Sequence, residues 1–179
     1  MGKLIIVSSV SGAGKTTLVD KASVEYGLYK LKTCTTRPVR PEENGDEYYF
    51  FAVDEFLDNI DSSGFFEHAK VYGNHYGLLN SEIKKSEDRN CIVVLDVQGA
   101  ETARTMYPDA ITVFIEPPSR SELELRILKR NTGHADVIRR MHEIESEMEQ
   151  MKYFSHTVKY DILPAMTKEF NQIVKSILD

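Results

Sequence analysis

The sequence lacks long hydrophobic runs and an excess of positive charge, and each absence excludes a kind of partner. No apolar stretch in the 179 residues approaches the roughly 18 residues that a membrane-spanning helix needs. Lysine and arginine total 22 against 28 aspartates and glutamates, so the net charge is −6. This balance does not favour non-specific nucleic-acid binding, which requires a basic surface against the phosphate backbone. We therefore expect neither a membrane nor a nucleic acid as partner.

Cysteine is also scarce, with only Cys34 and Cys91 in the chain. The two lie far apart in apolar segments, and no Cys-x-x-Cys or Cys/His spacing typical of a metal site occurs. Free buried thiols in a reducing compartment are the expected state. Because the first predicted strand begins at Leu4, we also expect no signal peptide and a cytoplasmic location.

A phosphate-binding motif near the start organises the rest of the chain. Leu4–Val7 is an apolar run of the length of a buried strand, and small residues follow it as far as Gly14. Lys15 and Thr16 come next and open a predicted helix. This is the context of a P-loop, whose backbone N–H groups and helix N-terminus bind nucleotide phosphates. Lys15 would reach the outer phosphates, and the Thr16 hydroxyl would bind Mg²⁺.

One position departs from the P-loop pattern. The motif G-x-x-x-x-G-K-[ST] requires glycine at position 9, where this chain has Ser9. Glycine there usually permits a positive φ or a close approach of the backbone, so we expect a strained or differently shaped loop. An ordinary glycine-rich turn is the alternative, and it is disfavoured because Gly12, Gly14 and Lys15 are in register behind a strand.

Strands and helices alternate over much of the remaining chain. Cys91–Leu95 is typical of a central parallel strand buried on both faces, and Ile111–Ile115 predicts another. We therefore expect an α/β three-layer fold with a parallel central sheet. Asp96 ends the first of these strands and either faces a ligand or caps the next helix, and both roles are compatible. Further strands are expected at Leu28–Cys34, Tyr48–Val53, Phe65–Val71 and Val158–Leu163, and helices at 17–24, 54–60 (Asp54 as N-cap), 80–86, 119–131, 135–153 and 167–178.

Residues 35–80 interrupt this alternation with short strands and turns. Arg37 and Arg40 lie three apart in a loop with two prolines and can converge on one phosphate, although solvated surface arginines are the alternative. A nucleoside triphosphate on the P-loop needs a second reactant, and this segment offers arginines, tyrosines and a glutamate. That combination favours a nucleotide kinase over a simple ATPase or GTPase.

The helix expected at 135–153 has an apolar stripe that we interpret as core packing. We expect its acidic face, which includes Glu147, to be solvated. Arginines surround the turn before this helix, and they are either a lid that closes on phosphates or partners in surface salt bridges. These arginines are Arg126, Arg130, Arg139 and Arg140.

Seven ordered blocks of sequence closely resemble the guanylate kinase family over nearly the whole chain. They are SGAGKTTL (11–18), TTRPVRP with ENGDEYYF (35–50), VDEF (53–56), FFEHA (65–69), GNHYG (73–77), LDVQGA (95–100) and IEPPS (115–119). The resemblance implies a core of 1–34, 81–125 and 142–179, a small mixed-β monophosphate-binding insertion at 35–80 and a helical lid at 126–141. It also implies transfer of the γ-phosphoryl group of Mg·ATP to GMP or dGMP.

The resemblance assigns roles residue by residue. Lys15, Arg130 and Arg140 would be catalytic, and Glu67 and Asp96 would face the guanine base, with Cys34 beside them. The ATP-binding residues would be Ser11, Gly12, Ala13, Gly14, Lys15, Thr16 and Thr17, with Thr16 also the metal ligand. The residues that hold the acceptor phosphate would be Arg37, Arg40, Tyr48 and Tyr76.

The chain also departs from the family's pattern. Val94 replaces the first aspartate of the usual L-D-x-D on the central strand, which removes a carboxylate near Mg²⁺. Cys34 and Leu78 stand where we place the hydroxyl residues beside the base, which could relax the base preference. A kinase of the same fold for another monophosphate or a phosphorylated sugar therefore stays open, as does a non-catalytic protein-binding module.

Overall fold

The computed structural model describes residues 2–10, 13–41, 43–129 and 134–179. The strands within them are β1 (Leu4–Ser8), β2 (Tyr29–Lys30), β3 (Cys34–Thr35), β4 (Tyr49–Phe50), β5 (Phe65–Val71), β6 (Asn74–Leu79), β7 (Cys91–Val94), β8 (Ile111–Ile115) and β9 (His156–Val158). The α-helices are α1 (Lys15–Tyr26), α2 (Val53–Asp61), α3 (Asn80–Ile83), α4 (Val97–Met106), α5 (Arg120–Leu128), α6 (His134–Glu149) and α7 (Leu163–Leu178). Short 3₁₀ turns follow α3 at Lys84–Glu87 and α6 at Gln150–Tyr153.

The central sheet has the strand order β2-β7-β1-β8-β9, and every pair in it is parallel. In the middle of the sheet, Leu4–Val7 pairs with Cys91–Val94, and Ile5–Ser8 pairs with Ile111–Phe114. Helices cover both faces, which explains why these strands are almost entirely apolar, with Ser8 and Thr112 as their polar residues. Val7 packs in one core cluster with α1 and α7, and Ile6 packs in another with α4. The expected α/β fold with a parallel central sheet is confirmed.

A second sheet lies within residues 34–79 and has the order β4-β3-β6-β5. Its main unit is the hairpin of β5 and β6, which pairs from Phe65 opposite Leu79 to Val71 opposite Asn74. β3 is antiparallel to β6 and parallel to β4, so the sheet is mixed. Phe56 of α2 is fully buried and stacks on Phe65, which fixes α2 to this sheet.

The expected strand at Leu28–Cys34 is wrong, because the segment crosses between the two sheets. Its first part pairs with β7, where Leu31 donates its backbone N–H to Ile92 at 2.9 Å. Two residues later the partner has changed, and Thr33 accepts from the backbone N–H of Tyr49 at 2.9 Å. The expected strand at Val158–Leu163 is also wrong, since β9 ends at Val158 and α7 begins at Leu163.

Several helix boundaries differ from expectation for local reasons. α1 begins at Lys15, two residues early, because Gly14 adopts φ 90° and lets the chain turn directly into the helix. α7 begins four residues early because Pro164 fits its first turn, where no N–H donor is needed. α2 is not capped by Asp54; it starts at Val53, and Glu55 accepts from the backbone N–H of Ala52.

The expectation for the two cysteines holds. Cys34 and Cys91 are both buried free thiols, and burial raises the pKa of Cys34 to about 12. No helix in the described ranges combines the length and the apolar character needed to cross a bilayer.

Candidate active site

One cleft joins the two sheets, with a cavity volume of about 340 Å³. It lies at the carboxyl ends of β1 and β7, where open parallel sheets bind their ligands. P-loop residues line one end, and residues of the second sheet line the other. The expected site residues on its wall are Ala13, Gly14, Lys15, Thr16, Thr17, Arg37, Arg40, Tyr48, Glu67, Tyr76, Asp96 and Arg140.

Three of the expected site residues lie outside the described residues, namely Ser11, Gly12 and Arg130. Arg126 is described, and the cleft wall does not include it. It donates to Glu122 at 2.6 Å and to the Tyr160 hydroxyl at 2.8 Å. For Arg126 the salt-bridge alternative is therefore the observed one.

The P-loop fixes the Lys15 side chain at its own end of the cleft. Its Nζ donates to the backbone carbonyls of Ser9 at 2.9 Å and Val10 at 3.1 Å. Ser9 is buried, and its φ is not positive. In the described chain the non-glycine residues with a positive φ are Ser63 and Tyr72. The expected backbone strain at Ser9 is therefore absent, and its hydroxyl instead donates to the Val10 carbonyl.

At the far end of the cleft, two arginines converge on one carboxylate. Arg37 donates both terminal nitrogens to Glu43, at 2.7 and 3.0 Å, and Arg40 adds its backbone N–H at 2.9 Å. Burial alone would raise the pKa of Glu43, but these hydrogen bonds outweigh it and hold the pKa below its ordinary value. Tyr48 lies beneath the Arg37 guanidinium, 5.5 Å from it, and against Tyr76.

This cluster suits an anionic ligand. Arg37 and Arg40 together carry more positive charge than Glu43 neutralises, and both line the cleft beside two phenol rings. A phosphate can accept charge-assisted hydrogen bonds from such a fork. Sequence reasoning placed Glu43 only in a turn, although its position three residues after Arg40 is the spacing that orders both arginines.

Between the two ends, Glu67 presents a buried carboxylate to the cleft. Glu67 is 3% exposed, and its Oε2 has no hydrogen-bond partner in the described part of the chain. Burial raises its pKa to about 8, the negative charge of Asp96 adds to the rise, and a hydrogen bond from the Leu78 backbone opposes it. An acceptor held in this way is ready for a ligand that brings N–H donors.

Asp96 and Gly99 fix the position of that carboxylate. Asp96 caps α4 by accepting from the Gly99 backbone N–H at 2.9 Å, so its expected N-cap role is confirmed. A Cβ on Gly99 would lie 2.5 Å from Glu67 Oε2 and 3.3 Å from an Asp96 oxygen. The absence of a side chain at position 99 therefore lets Glu67 approach the first turn of α4.

The structure does not bring Cys34 into the cleft. Cys34 is completely buried, while the preceding residue, Thr33, lines the cavity. The expected place of Cys34 in the cleft is therefore taken by Thr33, whose side chain brings a hydroxyl group to the cavity wall. Leu78 is also fully buried, in the core cluster that holds Ile6.

Sequence reasoning missed two further residues of the cleft wall, Tyr72 and Glu147. Glu147 was expected on a solvated face of the helix, but burial raises its pKa to about 7 and it accepts from the Tyr72 hydroxyl at 2.9 Å. No local pattern identifies either residue, because their contact joins positions 75 residues apart.

Together, the fold and the cleft define a P-loop α/β protein of the nucleotide-binding class, with a second cluster of arginines at the other end of the cleft. Comparison with known proteins is more specific. The family model described as guanylate kinase matches residues 1–177. The guanylate kinase of Hydrogenovibrio crunogenus is 44% identical over 162 residues, which cover 88% of this chain and 79% of that protein. The guanylate kinase of Photobacterium profundum is 37% identical over 182 residues, which cover 98% and 88%.

Among solved structures, guanylate kinase from Anaplasma phagocytophilum superposes with a TM-score of 0.78. The alignment covers 98% of this chain and 85% of that one at 24% identity, a level at which the likeness concerns the fold. The family model and the curated relatives decide the assignment: the chain belongs to the guanylate kinase family, whose known activity is the phosphorylation of GMP.

Proposed function

We propose that this chain transfers the γ-phosphoryl group of Mg·ATP to GMP or dGMP, giving ADP and the corresponding diphosphate. The observation that carries the proposal is the joining of two different subsites in one cleft. Lys15 marks a triphosphate site, and Arg37 with Glu67 marks a site for a phosphorylated guanine. A simple ATPase has no use for the second subsite.

The acceptor phosphate binds to Arg37, Arg40, Tyr48 and Tyr76 in this proposal. The Arg37 side chain is 10% exposed, so its charge is weakly screened by solvent. When the acceptor binds, its phosphate oxygens accept hydrogen bonds from the arginine N–H groups that now donate to Glu43, either in place of Glu43 or together with it. Glu43 then has the role of holding both arginines in place before the ligand arrives.

Glu67 reads the base. An ionised carboxylate accepts two hydrogen bonds, and guanine offers N1–H and N2–H₂ side by side where adenine offers no such pair. Asp96 restrains the adjoining helix turn and adds negative charge. The Thr33 hydroxyl lines the cleft and can donate a hydrogen bond to guanine O6. The Leu78 side chain has no donor for this atom.

The donor nucleotide binds at Ala13–Thr17 and at the adjoining residues of the loop. Thr16 lines the cleft at the start of α1 and fits an Mg²⁺ ion that is held mainly by phosphates and water. Val94 stands where the family usually has an aspartate near Mg²⁺, and its side chain offers no oxygen. Thr16 is therefore the proposed protein ligand. Bound Mg²⁺ would neutralise phosphate charge.

The chain's own contribution to the chemistry is positioning and charge. The attacking phosphate oxygen of the acceptor is already ionised, so no general base is required. Lys15 stabilises charge on the transferring group from the P-loop side, and Arg140 does so from α6. We assign residues 35–80 to acceptor binding and 126–141 to a lid that excludes water when it closes.

The direct test is ADP formation from Mg·ATP with GMP, dGMP, AMP, CMP, UMP and dTMP offered in turn. We expect turnover with GMP and dGMP and little with the others. Turnover with a different monophosphate would keep the mechanism and contradict the base assignment. Absence of turnover with all of them, together with ATP binding by calorimetry, would favour a phosphorylated sugar as acceptor or a binding module.

Gly99→Ala should raise KM for GMP roughly 10-fold or more, with a smaller effect on KM for ATP. The new methyl group would occupy the space of Glu67 Oε2, 2.5 Å away, and displace the base-reading carboxylate. Steady-state kinetics with each nucleotide varied in turn measures the effect. The matched control is Gln98→Ala, since Gln98 is the exposed neighbour in the same turn. Equal KM values in both variants would contradict the role of Gly99.

A further inference from the structure

Tyr72 occupies a backbone position that disfavours tyrosine. Tyr72 and Gly73 form the two-residue loop between β5 and β6, with φ of 50° and 84°. Two positive φ values are characteristic of the type I′ hairpin turn, which prefers Asn-Gly or Asp-Gly. A tyrosine there costs roughly 1 kcal/mol of local strain. The contacts of the Tyr72 side chain therefore explain why a tyrosine stands at this position.

The side chain of Tyr72 reaches from this hairpin to α6 across the cleft. Its hydroxyl donates to Glu147 Oε1 at 2.9 Å. Its ring lies under the guanidinium of Arg140, whose central carbon is 4.9 Å from the ring centroid. Arg140 and Glu147 are seven residues apart, two helical turns, so they lie on the same face of α6. One tyrosine thus contacts both charged residues.

The two charged residues each contact Tyr72 and are not paired with each other in the described chain. Within the described residues, Arg140 and Glu147 form no ion pair, and Arg140 Nε is buried without an acceptor. The aromatic face supports the cation while its N–H donors stay available. The hydroxyl meanwhile donates to one oxygen of the Glu147 carboxylate, which also faces the positive charge of Lys15. An arginine presented in this way can bind an incoming phosphoryl group.

We propose that Tyr72 is a positioning residue that presents Arg140 to the transferring phosphoryl group. The ring supports the guanidinium, and the hydroxyl restrains Glu147 from neutralising it. Because Tyr72 lies on the hairpin that also carries Glu67 and Tyr76, the support is contributed by the acceptor-binding sheet. The inference rests on the proposed function, since it takes the role of Arg140 from there.

Two substitutions separate the hydroxyl from the ring. Tyr72→Phe should lower kcat about 3- to 10-fold, because Glu147 is freed to pair with Arg140. Tyr72→Leu should lower kcat roughly 10- to 100-fold, because the support of the guanidinium is lost as well. KM for GMP should stay within about twofold of wild type in both variants, since neither change touches Glu67 or Arg37.

The double variant Tyr72→Phe/Glu147→Gln gives the decisive readout. Removing the carboxylate charge should restore most of the kcat lost in Tyr72→Phe, a rescue that a merely structural role of the hydroxyl does not predict. Unchanged kcat in both single variants, a loss confined to KM, or failure of the rescue would overturn the inference. A wild-type protein that phosphorylates no monophosphate would overturn the proposed function as well, so the two failures are distinguishable.

Discussion

Lys15→Ala should lower kcat by roughly 10²- to 10³-fold, the loss typical of removing one pre-positioned charged donor at a transition state. The Lys15 ammonium group is held by the carbonyls of Ser9 and Val10, so it is fixed before the nucleotide binds. Fixed charge of this kind needs no reorganisation during transfer, which is why its removal affects kcat. The measurement is kcat in a coupled ADP assay, with one substrate varied while the other is saturating.

The matched control for this prediction is Lys21→Ala. Lys21 is an exposed lysine on the same helix, α1, and its removal should leave kcat near wild type. Thermal unfolding of both variants checks that the fold is retained. A Lys15→Ala protein that keeps its fold and turns over within about threefold of wild type would contradict the assignment of Lys15.

The P-loop could be predicted from the sequence because all its determinants are local. An apolar strand, a small-residue loop and a helix start follow one another within Leu4–Leu18, and backbone geometry alone then places Lys15. The parallel core was predictable for a similar reason. Cys91–Val94 is apolar throughout and Ile111–Ile115 is apolar except for Thr112, and only strands buried on both faces need such runs.

The second sheet was less predictable because its strands are short and their pairing is non-local. β3 and β4 have two residues each, too few for an alternating pattern to reveal which face is buried. A shift of one residue along an extended segment moves a side chain to the opposite face. That is why the base-facing position was assigned to Cys34 when Thr33 lines the cleft.

The missed contact of Tyr72 with Glu147 has a related cause. Helical periodicity correctly identified the apolar stripe of α6, in which Val137, Met141 and Ile144 are buried. The same periodicity says only that Glu147 lies off this stripe. Which element covers a polar face depends on tertiary structure, and here the cover is the tip of a hairpin 75 residues away.

Glu67→Gln should raise KM for GMP on the order of 10²-fold and reduce the preference for GMP over AMP. The Glu67 carboxylate accepts hydrogen bonds from two guanine N–H groups. In Glu67→Gln an NH₂ group replaces one of the two oxygens, so that a buried amide N–H faces a guanine N–H and neither can donate to the other. The amide can donate to adenine N1 at every pH, whereas Glu67 can do so only while protonated, so turnover with AMP should rise where Glu67 would be ionised. Both nucleotides are compared by kcat/KM at fixed, saturating Mg·ATP.

The pH dependence of GMP affinity gives a second signature of the same residue. Because burial raises the pKa of Glu67 to about 8, the free protein holds this group mostly protonated at pH 7. Guanine binding needs the ionised form, so binding releases a proton and affinity rises with pH. Linkage predicts an increase of about fivefold between pH 7 and pH 8 and little further change above pH 9.

Glu82→Gln is the matched control, because Glu82 is the other buried glutamate of the described chain, also 3% exposed, and lies outside the cleft. It accepts from the Tyr49 hydroxyl and from Lys85, so its loss should lower stability without altering the choice between GMP and AMP. The titration of GMP itself is common to all variants. It cancels when the GMP affinity of the wild type at each pH is divided by that of Glu67→Gln. If that ratio is flat from pH 6.5 to 9, or if the base preference is unchanged, Glu67 does not read the base and the guanine specificity must come from Thr33 and its neighbours.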